Sequence, residues 1–175
     1  MEDCAMKTAP IVIPWISEAE LAYLHIEPSD RNKDEESFVS ILGPAGIFPT
    51  LDCVRVFLHC LAYGWRTIFD LAHSVYNRYG LDSNDNGISY ADEFEEWEME
   101  KEDYFEEVVM YTPDRSQVQM SLVVFERLML RFFYAAMESA HRYKDPILHD
   151  PRFVQFIKDI NQIEQRLEEE SKKVA

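Results

Sequence analysis

Basic residues are scarce in this 175-residue sequence: Lys and Arg number 17 against 33 Asp and Glu, for a formal charge of −16. That deficit argues against nucleic-acid binding through phosphate contacts, which Lys and Arg supply. It argues equally against anionic membrane surfaces. Long hydrophobic runs are also missing, and no apolar stretch approaches the roughly 20 residues that span a bilayer. Cysteine is limited to Cys4, Cys53 and Cys60, an odd number at spacings that give no disulfide framework. The five glycines are scattered, so there is no glycine-rich phosphate cradle. There is no Gly-x-Ser-x-Gly elbow either, and no Cys-His pair in a recognisable context. The opening MEDCAMKTAP lacks a basic stretch followed by an apolar one, so the expectation is no signal peptide and a reducing, cytoplasmic setting.

What is present is material for a core. Hydrophobic residues make up 47% and aromatics 13%, which suits one folded domain over residues 1–175. Residues 11–16, interrupted by Pro14, read as an edge strand or extended lead-in. Ser17 and Glu20 have the spacing of a capping box, predicting a short helix to about Ile26, then a polar loop from Pro28 to Glu36. Leu42 to Pro49 reads as irregular. From Thr50 as cap, apolar residues recur at steps of three and four through Tyr76, predicting one long helix that Gly80 ends. Phe105–Tyr111, a Thr112-Pro113-Asp114-Arg115 turn and Gln117–Met120 read as a β-hairpin. Ser121 caps a second long helix, through about Tyr143. Asp145-Pro146 stops it, and Asp150-Pro151 starts a third, whose tail is expected to fray from about Glu168. The fold class is therefore α+β, predominantly helical, with a small antiparallel sheet near 105–120.

Two segments suggest metal chemistry. Asp82, Asn84, Asn86, Gly87 and Glu93 fall in register with positions 1, 3, 5, 6 and 12 of an EF-hand loop. Against that register, Ser89 stands where the usual aliphatic falls, Tyr90 holds position 9, and Asn at positions 3 and 5 removes charge. The ordinary reading is an Asx-rich turn, and a Ca²⁺-binding module at 82–93 stays as an alternative function. Cys53, His59 and Cys60 make a poor zinc set. On a helix the two cysteines lie two turns apart, and His59 points about 100° from Cys60. His141 and His149 read as surface or capping groups. No resident cofactor or metal is expected, and catalysis is not expected, although an enzyme without a recognisable motif remains a further alternative.

The densest feature is ADEFEEWEMEKEDYFEE, residues 91–107. Charge runs are usually solvated faces. This one interleaves Phe94, Trp97, Tyr104 and Phe105 with its carboxylates, and on a helix Phe94 and Trp97 would share a face. Interfaces use aromatic anchors inside a charged rim, and the rim speeds encounter with a basic partner. The candidate contact residues are Asp92, Glu93, Glu95, Glu96, Trp97, Glu98, Glu100, Glu102, Asp103 and Tyr104. Carboxylates would pair with Lys or Arg of the partner, and Trp97 or Tyr104 would anchor.

From acidic linker through hairpin into helix, the order resembles bacterial toxin-immunity proteins, particularly those paired with ribonuclease toxins in contact-dependent growth inhibition. The residues that carry the likeness are Tyr104-Phe105-Glu106-Glu107-Val108-Val109-Met110-Tyr111, then Gln117–Met120, then Phe125 onward. Glu107 stands where the pattern has Gly, and the likeness covers about residues 92–143. It implies a small cytoplasmic protein that binds and blocks one cognate nuclease toxin, with no catalysis and no required cofactor.

Overall fold

The computed structural model describes residues 12–30, 37–95 and 104–174. Ser17 and Glu20 form the expected capping box, with the Ser17 side chain accepting from Glu20 N–H. The helix they start, α1, is only Glu18–Leu21. It does not reach Ile26, because the Arg131 guanidinium donates to the carbonyls of Leu21 and Leu24. The chain turns extended instead, and β1 (His25–Pro28) pairs antiparallel with β2 (Val39–Leu42).

The predicted long helix from Thr50 is two helices, α2 (Pro49–Leu61) and α3 (Trp65–Asn77). The apolar period runs through the break, since Leu61 and Trp65 are still four apart. What interrupts it is a long-range bond: Phe38 N–H takes the Ala62 carbonyl at 2.9 Å. Gly64 then adopts extended angles as the N-cap of α3. Two smaller expectations also shift. Phe48, not Thr50, occupies the N-cap of α2, with Pro49 as the first helical residue. The left-handed residue closing α3 is Arg78 at φ 54°, not Gly80.

Four strands form the main sheet, in spatial order β3 (Leu81–Ser83), β4 (Asn86–Tyr90), β5 (Val108–Tyr111) and β6 (Gln117–Met120), all antiparallel. Asn84 and Asp85, both at positive φ (55° and 60°), make the two-residue β3–β4 turn, as a primed hairpin turn demands. The expected β5–β6 hairpin is present, closed by Arg115 N–H on the Thr112 carbonyl. Register divides the sheet's faces. The row Leu81, Ile88, Met110 and Val118 belongs to the main core under the helices. The alternate row is Asp82, Gly87, Tyr111 and Gln117. In it the Tyr111 hydroxyl crosses Gly87 to reach Asp82 Oδ2 at 2.9 Å. A Cβ on Gly87 would sit 2.4 Å from that hydroxyl, so only glycine fits.

Ser121 caps α4 (Leu122–Arg142) by accepting Val124 N–H, as its position implies. A 3₁₀ turn at Pro146–His149 leads into α5 (Pro151–Val174). The tail expected to fray from Glu168 is helical to Val174, because Arg78 donates to Glu170 at 3.0 Å. Trp65, Phe69, Phe153 and Phe156 pack ring on ring between α3 and α5. The sheet and all the helices share this one core, and the fold is the expected α+β domain.

Candidate partner-binding surface

Between β4 and β5 the chain leaves the sheet for the acidic run. The ladder continues one step beyond the strands, with Ala91 N–H on the Glu107 carbonyl at 2.9 Å. The described residues on either side of the run, 91–95 and 104–107, thus leave and rejoin the sheet at a paired base, at the sheet end opposite the two tight turns.

The outgoing side is held by Glu93. A single 3₁₀ turn, Ala91–Glu93, bends the chain. Glu93 Oε1 accepts Gly80 N–H at 2.6 Å, and Oε2 accepts Tyr90 N–H at 3.1 Å. Phe94 follows in extended conformation, with φ −111° and ψ 142°. Its ring meets Phe105 in a T-shaped contact, 5.9 Å between centroids.

The returning side is held by Gln119. This side chain is 3% exposed. Its Oε1 accepts Glu106 N–H at 3.1 Å and its Nε2 donates to the Ile13 carbonyl at 2.7 Å. Its backbone pairs with Pro14 and Ile16, so the lead-in lies along β6, bridging at Trp15. Burying an amide costs free energy unless its donors and acceptor are met, and here one glutamine joins the lead-in, β6 and the loop's return. Phe105 then buries beside Ile13 and Val109 in a small cluster separate from the main core. The Glu107 carboxylate accepts Leu122 N–H at the start of α4, where a helix favours negative charge.

Of the ten candidate residues, Asp92, Glu93, Glu95 and Tyr104 are placed, all exposed, and Glu93 is committed to backbone groups. Glu96, Trp97, Glu98, Glu100, Glu102 and Asp103 lie outside the described residues. Sequence reasoning missed Phe105, Gln119, Glu106 and Glu107 as the base. The β-propensity after Phe105 marked the return strand, but nothing local pointed to Gln119.

The EF-hand-register segment folds as strand, two-residue turn, strand and 3₁₀ turn. Burial pushes the Tyr111 hydroxyl upward, and its bond to Asp82 adds to the shift. Cys53 is buried and Cys60 exposed. Among the described residues no group of three or more His, Cys, Asp or Glu is placed to hold a metal ion. Among the same residues no helix is long and apolar enough to cross a membrane. Comparison with protein-family models, curated proteins and solved structures found no match to this chain.

Proposed function

We propose that this protein is an acidic binding protein that neutralises a basic partner through the loop between β4 and β5. The resemblance stated above narrows the partner to a cognate nuclease toxin in the cytoplasm, whose phosphate-binding surface the carboxylates would occupy. One observation carries the reading. Asp92 to Glu107 holds ten carboxylates against Lys101 alone, and the two ends of that run are tied to the sheet. Self-repulsion of that many like charges costs stability, and a tied base keeps the charge in one place, where it accelerates encounter with a cationic surface. Preorganisation of the base also lowers the ordering cost of binding.

The test is retention from the native source. Wild type and the E95Q/E96Q/E98Q variant are immobilised and washed at low and then high salt. Wild type is expected to hold one basic protein at low salt and release it at high salt. The variant is expected to associate severalfold more slowly and to show a flatter salt dependence. The retained protein should lose nuclease activity when wild type is added back. Unchanged association rate and salt dependence in the variant would overturn the assignment.

A further inference from the structure

The apolar side of the loop's base is only half buried. Phe105, Ile13 and Val109 close on one another at 5%, 1% and 4% exposure. The residues beside them stay out: Phe94 at 40%, Tyr104 at 59% and Val12 at 78%. Phe94 makes its ring contact with Phe105, and Tyr104 precedes Phe105 in the chain. One exposed ring therefore packs on the buried Phe105, a second stands next to it in the chain, and both offer surface to solvent.

The charge around these rings is not uniform in use. Glu93 and Glu107 are spent on the backbone N–H groups of Gly80, Tyr90 and Leu122. Asp92 and Glu106 are exposed. Each lies two residues from a ring, Asp92 before Phe94 and Glu106 after Tyr104. An exposed ring with a carboxylate nearby discriminates between cations. A guanidinium is planar and weakly hydrated, so it stacks on an aromatic face while its N–H fork meets a carboxylate. An ammonium is a strongly hydrated point charge and gains less from the ring.

We infer that the base of the acidic loop, through Phe94 and Tyr104 with Asp92 and Glu106, selects arginine over lysine side chains of its partner. This rests on the reading that the partner is a basic protein, and it names the chemistry of the contact.

The test titrates the full chain with two synthetic peptides of equal length and charge, alternating Gly-Arg and alternating Gly-Lys. Wild type is expected to bind the Arg peptide about tenfold more tightly, as two exposed cation–ring contacts imply. F94L/Y104L is expected to bring the Arg peptide down to the level of the Lys peptide and leave Lys binding unchanged. Leu at 94 retains an apolar contact for Phe105. Should the double variant fail to fold, Tyr104→Leu alone is expected to weaken the Arg peptide about threefold. Equal affinities in wild type, or an Arg preference that survives the substitutions, would overturn the selectivity and leave the cation-binding reading standing. If neither peptide binds, both fall.

Discussion

The Glu93 carboxylate closes onto the Gly80 backbone at 2.6 Å, while its second oxygen takes Tyr90 N–H. A residue from the most acidic stretch of the chain thereby fixes the segment between α3 and β3. A Cβ on Gly80 would come within 2.9 Å of Glu93 Oε2 and 3.0 Å of the Ile88 carbonyl, so any larger residue there would push the carboxylate from its present place. The acidic run accordingly contains two kinds of carboxylate. Glu93 and Glu107 hold the fold, whereas Asp92 and Glu106 face solvent.

This division predicts opposite outcomes for neighbouring substitutions. Glu93→Gln turns an amide NH₂ toward one of two N–H donors, and is expected to cost about 1 kcal/mol. The loss would appear as a lower urea midpoint at unchanged slope. Asp92→Asn is expected to stay within about 0.5 kcal/mol of wild type, yet to slow association with the basic partner. Equal midpoints for the two variants would remove the structural role of Glu93.

Local chemistry made much of the fold legible. Ser17 with Glu20, Ser121 before an apolar stripe, and Asp150-Pro151 each carry their own hydrogen-bond logic within four residues. The failures share a cause. The break after Leu61, the end of α1 at Leu21 and the persistence of α5 to Val174 depend on Phe38, Arg131 and Arg78, which are remote in sequence. Helix periodicity does not register a distant N–H or guanidinium. The same holds for the candidate surface. A run of glutamates reads alike whether a carboxylate faces water or a backbone donor, and Gln119 gives no sign that its partner is Ile13. The acidic run was visible, and its supporting base was not.

Cys53 provides a stability dependence on pH. Burial is the main cause pushing its thiol from 9.0 up to about 12, the Asp114 carboxylate adds to it, and a hydrogen bond with Thr112 opposes it. Between these values the unfolded chain gives up the proton and the folded chain keeps it. The stability tied to the buried thiol is therefore fully present below pH 9.0 and is lost as pH rises toward about 12. The loss runs at roughly 1.4 kcal/mol per pH unit inside the window. Wild type is expected to be more stable than Cys53→Ala at neutral pH, because the substitution leaves a small void. The gap is expected to shrink by about 1 kcal/mol between pH 9 and 10, since the slope reaches its full value only above the unfolded pKa. Urea midpoints of the pair at neutral pH, 9 and 10 isolate this group from the tyrosines, which both chains share. A constant gap would show that Cys53 ionises alike in both states.

Glu126 is the most consequential charge in the core. Its side chain is fully buried on α4 and lies between Arg78 and Arg166. Arg78 Nε approaches Oε1 at 3.0 Å, and Arg166 approaches the same oxygen at 2.5 Å. Arg166 also donates to the carbonyls of Val75 and Tyr76 at the end of α3. One carboxylate thus joins three helices and supports the left-handed Arg78 on which the entry to β3 depends. Burial pulls Arg78 downward, but its bonds to Glu126 and Glu170 outweigh that and hold it above its ordinary value. Glu126→Leu would take from two partly exposed guanidiniums the carboxylate they share, leaving Arg78 its bond to Glu170 and Arg166 its two carbonyls, at an expected cost of about 3 kcal/mol. E126L/R78M is expected to lose less than E126L alone, because one of the stranded charges goes with its partner. Arg166 keeps a favourable place at the carbonyl end of α3. Chemical unfolding of wild type, both single variants and the double variant closes a thermodynamic cycle. Additive losses would mean that the two side chains do not couple, and the junction of α3, α4 and α5 would then rest on its apolar packing and on the bonds that Arg166 makes to Glu126 and to the Val75 and Tyr76 carbonyls.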